Sequence, residues 1–153
     1  MNAPDHAATP RTPGWSRFFV PAHIWLYRAT GGFLGHRLGP QRTLLLTTTG
    51  RKSGLLRTQP LAYFLPQGRI VLVASNWGND RPPAWYLNLV AQPRVRVELK
   101  REVFDAEARI ATGEERERLW PLIVAQNRVY ARYQAGTSRE IPLVLLRRLA
   151  PDA

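Results

Sequence analysis

The segment Thr47-Thr48-Thr49-Gly50-Arg51-Lys52-Ser53-Gly54 sets a run of hydroxyls, two glycines and two adjacent cations side by side. A turn of this composition can aim backbone N–H groups at one anion. Its glycines admit a close approach, and Arg51 and Lys52 add charge-assisted hydrogen bonds to phosphate or carboxylate oxygens. Arg57 follows and extends the same charge. Neither the G-x-x-x-x-G-K-[ST] phosphate loop nor the G-x-S-x-G nucleophile elbow is satisfied here. An ordinary basic hairpin turn would share the composition, so the residues alone specify an anion and not a reaction.

Two further groups have chemical potential. Ala74-Ser75-Asn76-Trp77-Gly78 closes a strand and is followed by Trp85-Tyr86-Leu87-Asn88-Leu89. A strand end that passes through a glycine-containing loop into a helix makes a cleft wall, with Ser75 and Asn76 as polar groups beside aromatic surface. Trp85 and Leu89 share a helical face, which is the spacing of core residues. Tyr130 and Tyr133 also share a face; two phenols there could stack on a planar acceptor and donate to its oxygens, or simply fill the core. Glu114, Glu115 and Glu117 read as a solvated first turn of a helix rather than as acid–base catalysts.

Charge supports an anionic ligand in the first half of the chain. The net charge is +11, yet only Asp5 and Asp80 are acidic in residues 1–80. Nucleic acid, an acidic membrane surface or a polyanionic cofactor would each satisfy that bias. With no cysteine, thiolate metal sites, iron–sulfur clusters and cysteine nucleophiles are excluded, and His6, His23 and His36 lack metal-ligand spacing, so no metal is expected. No stretch reaches the roughly 20 apolar residues of a membrane span.

These groups need a scaffold, and its pattern is mainly β. Residues 43–49, 58–65, 69–75, 95–99, 103–110 and 141–146 read as strands, with Pro66-Gln67-Gly68 as a hairpin turn. The last is almost wholly apolar and should be central. Six such strands joined by short turns fit a small antiparallel barrel with flanking helices, an α+β fold. Asn79-Asp80 ahead of Pro82-Pro83 predicts a capped helix with proline in its first turn. Thr112 with Glu115 predicts a capping box for a second, and Pro121 predicts a break that opens a further helical segment toward Tyr130. Residues 1–14 read as a disordered lead, 15–38 as an aromatic helical segment, and 41–149 as the barrel domain. The aromatic and basic residues of 15–35 suit either packing on the barrel or peripheral contact with an anionic membrane.

Read together, L-L-L-T-T-T-G-R-K-S-G-L-L-R-T, V-A-S-N-W-G, A-W-Y-L-N-L and Y-A-R-Y-Q-A-G-T-S-R-E-I-P-L-V-L-L resemble the deazaflavin (F-420)-dependent nitroreductase and quinone reductase family over residues 41–146. The resemblance implies a split β-barrel of the FMN-binding split-barrel type, and a cytoplasmic enzyme that passes hydride from reduced F-420 to a quinone, nitro or enone-type acceptor. It implies that Thr49, Gly50, Arg51, Lys52, Ser53, Gly54 and Arg57 hold the phosphodiester and oligoglutamate tail. Asn76 and Trp85 then wall the cofactor cleft, and Ser75, Tyr130 and Tyr133 serve the acceptor. The sequence departs from the family pattern at Trp77, where a small residue is usual, at Pro82-Pro83 and at Asn127-Arg128-Val129, all near the acceptor side. Two alternatives stay open: an FMN-dependent oxidoreductase of the same fold, and a non-catalytic binder of acidic lipid or nucleic acid. Nucleic acid is not an expected partner of the enzyme, and monomer and homodimer are both compatible with the residues.

Overall fold

The computed structural model describes residues 16–38 and 41–151, with side chains in 19–36 and 41–151. The expected disordered lead, residues 1–14, lies outside the described residues. In chain order the elements are α1 (Ser16–Ala29), β1 (Arg37–Leu38), β2 (Gln41–Thr49), β3 (Leu56–Phe64), β4 (Ile70–Val73), α2 (Ala84–Ala91), β5 (Arg94–Leu99), β6 (Glu102–Ile110), α3 (Gly113–Gln126), α4 (Val129–Ala135) and β7 (Leu143–Arg148). Tight 3-10 turns at Pro66–Gly68 and Asn76–Gly78 bracket β4.

Six antiparallel strands form a closed barrel in the order β2-β3-β4-β7-β6-β5, and β5 returns to β2 with Val97 opposite Leu46. Closure pairs the strand edges that would otherwise template aggregation. The two-residue β1 is an addition, paired to β2 outside the ring. Strand ends differ from the expected ones. The last strand runs Leu143–Arg148 because Pro142 has no N–H to give the ladder, and Ile141 N–H donates instead to Gln134 Oε1 at 2.8 Å.

Alternation along the strands divides the interior in two. Leu44, Leu46, Leu72, Val95, Val97, Ala106 and Val144 fill the barrel. Val71, Leu143 and Leu145 point outward and are covered by Leu119, Ile123 and Tyr130 of α3 and α4. β7 is thus buried on both faces, which is why its sequence is continuously apolar.

Three helix details depart from the sequence reading. α2 is capped by Pro83 with no side-chain bond; Asn79 and Asp80 are engaged elsewhere, Asn79 Nδ2 donating to Asn76 O and Asp80 accepting from Thr137 Oγ1. The proline pair therefore leads into the helix instead of lying within its first turn. Thr112 makes no capping bond, and Glu115 closes no capping box; its carboxylate accepts from Arg109 and Arg69. Two guanidinium groups outcompete one backbone N–H. Pro121 does not break α3, which continues to Gln126. Pro121 is exposed, so the carbonyl it frees can be hydrated while buried Leu119 and Ile123 hold the inner face. The break falls at Asn127, whose Oδ1 accepts from Val129 N–H at 3.1 Å.

α1 packs on the barrel through Tyr27, fully buried, whose hydroxyl accepts from Lys100 N–H at 2.6 Å. Beside it, Arg28 grips both oxygens of Glu98. No helix among the described residues is long and apolar enough to cross a membrane.

Candidate functional site

The cationic turn joins β2 to β3 and is held from below by α2. Gly50 N–H donates to Leu55 O and Gly54 N–H to Gly50 O, both at 2.8 Å, so the turn closes on itself. Gly50 sits at a close approach, where a Cβ would lie 2.6 Å from Ser53 Oγ and 3.1 Å from Leu55 O. The Asn88 amide, buried on α2, accepts from Arg51 N–H at 3.1 Å and donates to Thr48 Oγ1 at 3.2 Å. With Leu55 N–H donating to Ser53 Oγ at 3.2 Å, these bonds use the N–H groups of Gly50, Arg51, Gly54 and Leu55. Those of Lys52 and Ser53 have no acceptor among the described residues.

Thr48, Gly50, Arg51, Lys52, Ser53, Arg57, Gln59, Trp85 and Asn88 line a cavity of about 370 Å3. Arg51, Lys52 and Arg57 pair with no carboxylate among the described residues; Arg51 reaches only the neutral Asn88. A larger cavity of about 650 Å3, lined by Leu65, Ile70, Phe104 and Leu146, presents the opposite case. Its arginines are engaged by acids, Arg147 with Glu107, Arg148 with Glu102 and Arg109 with Glu115. Uncompensated cations converging on a concave surface are the complement of a polyanion.

The expected residues fall into two groups. Gly50, Arg51, Lys52, Ser53, Arg57 and Trp85 share the cavity, while Thr49 and Gly54 belong to the turn without lining it. Ser75, Asn76 and Tyr133 lie where the 76–78 turn meets α4, and Tyr130 sits behind Tyr133 on that helix. Asn76 Nδ2 donates to Arg81 O at 2.8 Å, so its amide braces the turn. Ser75 Oγ makes no capping bond; the Ser75 carbonyl accepts from Arg139 Nη2 at 2.8 Å. Tyr130 is only 7% exposed, set edge-on against Phe64 at 5.5 Å and Tyr133 at 5.8 Å. Burial, with the Tyr133 phenol adding, pushes its hydroxyl up to about 12 against a lowering hydrogen bond with Gln41. Tyr133 is half-buried and meets Trp77 edge-on at 6.3 Å. α2 connects the groups: Trp85 lies on the cavity, and the adjacent Tyr86 is near enough to Arg139 for that charge to oppose the rise in its pKa caused by burial.

Asn88 and Arg139 fall within the quoted motifs but are not among the site residues expected from the sequence. Asn88 shares the buried helical face of Trp85 and Leu89, and a polar residue on an apolar face is the signal that could have found it. Arg139 donates to three carbonyls of the 74–79 segment, contacts of long sequence separation that leave no local signature.

The family model described as F420H(2)-dependent quinone reductase matches residues 19–148. An F420H(2)-dependent quinone reductase of Mycobacterium tuberculosis is 38% identical over 130 residues, covering 82% of this chain and 87% of that protein. A solved F420-H2-dependent reductase superposes with a TM-score of 0.62 at 42% identity, covering 69% of this chain and 93% of its own. A solved domain-swapped dimer superposes with a TM-score of 0.65 at 36% identity, covering 87% and 97%. With the matched region running through the cationic turn, α2, the 76–78 turn and α4, the chain belongs to the F420H(2)-dependent quinone reductase family.

Proposed function

We propose that this protein reduces a quinone with the reduced deazaflavin coenzyme F420, and that the cavity beneath the cationic turn holds the anionic part of that coenzyme. The observation that carries this reading is the convergence of Arg51, Lys52 and Arg57, without carboxylate partners, on a cavity walled by Trp85. The donor set fits a phosphodiester with a polycarboxylate tail: three cations, two free N–H groups and an aromatic wall. When bound, reduced F420 supplies a hydride and a proton, and the quinone leaves as the hydroquinone.

The protein's part is binding and orientation. Arg51, Lys52 and Arg57 hold the anionic groups, Asn88 keeps the turn in shape, and Trp85 limits where a ring can lie. Ser75 and Tyr133 are the proposed hydrogen-bond donors to the acceptor oxygen. Neither hydroxyl has a partner among the described residues. Tyr130, buried and with its proton held tightly, supports Tyr133 from behind. Nitro and enone acceptors are secondary substrates in this reading. The test is a fluorescence titration with F420 and, separately, FMN. Tight F420 binding with weak FMN binding is expected, and the reverse order would sink the proposal.

The second reading adds location to this activity. Trp25 and Phe33 are 70% and 88% exposed, and Phe33 borders a cleft that also holds Arg42, Lys100 and Arg101. Exposed aromatics beside cations suit the surface of an anionic membrane. We propose a cytoplasmic protein that visits that surface, where lipid-soluble quinones are found, through α1 and the segment at Phe33 that follows it. Flotation with phosphatidylglycerol vesicles but not with phosphatidylcholine vesicles is expected; absence of flotation with both would end this reading.

A further inference from the structure

The turn after β4 has a conformation that needs explaining. Asn76, Trp77 and Gly78 have φ of +45°, +58° and +79°, three successive residues in the left-handed region. For Asn and Gly this is tolerable, but for a bulky Trp it is a strained backbone. The indole gains no burial in return, being 80% exposed. A large aromatic group is therefore held in water on a strained backbone.

The surroundings over-determine that conformation. Arg139 Nε donates to Asn79 O at 2.8 Å, and its Nη2 donates to Ala74 O at 3.1 Å and Ser75 O at 2.8 Å. Asn79 Nδ2 donates to Asn76 O, Asn76 Nδ2 to Arg81 O, and Thr137 Oγ1 to Asp80 Oδ1. Gly78 lies so close to α4 that a Cβ would stand 3.1 Å from Tyr133 Cα. The result presents the Trp77 ring edge-on to Tyr133, with Ser75 at the base of the same turn. Strain kept in place by several independent bonds, at a residue that projects into solvent beside a free phenol, points to a ligand.

We propose that Trp77 is a specificity-determining residue of the acceptor site, its indole forming the solvent-side wall on which a fused-ring quinone stacks. The inference rests on the proposed acceptor role of Ser75 and Tyr133. A flat indole face rewards acceptors with two fused rings over single-ring ones, because stacking grows with shared π area. Trp77 sets which acceptor is preferred and has no part in holding the coenzyme.

The experiment compares the parent with Trp77→Gly and Trp77→Phe, using a naphthoquinone and a benzoquinone. Binding is measured by calorimetry without reductant, and turnover with reduced F420. Trp77→Gly should weaken naphthoquinone binding and raise its KM on the order of tenfold, with benzoquinone changed less than about twofold. F420 affinity should be unchanged, and the melting temperature unchanged or higher, since glycine accepts the left-handed backbone without strain. Trp77→Phe keeps a ring and should retain most of the naphthoquinone preference. Parent-like naphthoquinone binding in both variants, or equal losses for both quinones, would overturn the inference. If the parent binds naphthoquinone through Trp77 yet fails to oxidise reduced F420, the inference stands and the proposed reaction fails.

Discussion

The turn at residues 50–55 leaves its cations exposed and unpaired, whereas the turn at residues 75–79 commits nearly all its polar groups to holding one strained conformation. In the first, the side chains of Lys52 and of Arg57, just beyond the turn on β3, have no partner among the described residues, and Asn88 ties the loop to the helix below. In the second, Arg139, Asn76 and Asn79 each bond backbone carbonyls, and the exposed feature is an aromatic ring. The difference follows from the ligands proposed for each. A polyanion is recognised by charge that stays uncompensated until it binds, and flexible cationic side chains adapt to several oxygens. A small planar acceptor has few polar atoms, so its position must be set by a preorganised surface.

The largest effect should come from the aromatic side. Tyr130→Ala removes a buried ring from between Phe64 and Tyr133 and is expected to lower stability by about 3–5 kcal/mol, seen as a large fall in melting temperature. Tyr130→Phe should be far milder. If Tyr130→Ala melts like the parent, the aromatic cluster is not the rigid support that the comparison requires.

Charge reversal tests the other side. Arg51→Glu with Lys52→Glu should weaken F420 binding on the order of 100-fold in a fluorescence titration, while the melting temperature stays near that of the parent. Equal affinity in parent and double mutant would remove this turn from the coenzyme site. A combined loss of affinity and fold would show that the turn is structural, as its aromatic counterpart is.

A smaller effect separates Tyr133 from Tyr130. Tyr133→Phe keeps the ring and its edge contact with Trp77 but deletes the free hydroxyl, so stability and F420 affinity should hold. Turnover with quinone should fall roughly tenfold if that hydroxyl donates to the acceptor in the transition state. Unchanged turnover with several quinones would take the phenol out of the reaction.

The smallest expected effect lies where cations are engaged by a carboxylate. Arg109, with Arg69 adding, holds the Glu115 carboxyl down at about 2 against an ordinary 4.5. A depressed folded value means that the stabilisation is complete above about pH 4.5 and is lost as pH falls from there toward 2. Glu115→Gln should therefore cost on the order of 1 kcal/mol at neutral pH, after solvent screening, and flatten the acid limb of a stability profile. An unchanged acid limb would show that the ion-pair cluster contributes nothing.

Legibility followed the range of the interactions. Alternating apolar residues, the Pro66-Gln67-Gly68 turn and the cationic run at 51–57 carry their physics within a few residues, so strands and a candidate anion site could be read directly. Pairing of β5 back to β2, which closes the barrel, joins segments some fifty residues apart and has no local mark. The same limit explains the helix errors only in part. Asn79 and Glu115 are good capping residues by local rules, yet the nearby Asn76 carbonyl takes the Asn79 amide, and Arg109 together with the distant Arg69 takes the Glu115 carboxylate.

The site shows the same division. Composition marked Arg51, Lys52 and Arg57 as a candidate anion site, because charge and glycine freedom are properties of the residues themselves. Tertiary structure alone decided that Asn88 would lock that turn, that Tyr130 would be buried while Tyr133 stayed half-open, and that Trp77 would stand in solvent on a left-handed backbone. Each of those outcomes depends on which carbonyl, amide or ring the fold brings within hydrogen-bonding or van der Waals reach, a distance that a residue's type and position in the chain do not contain.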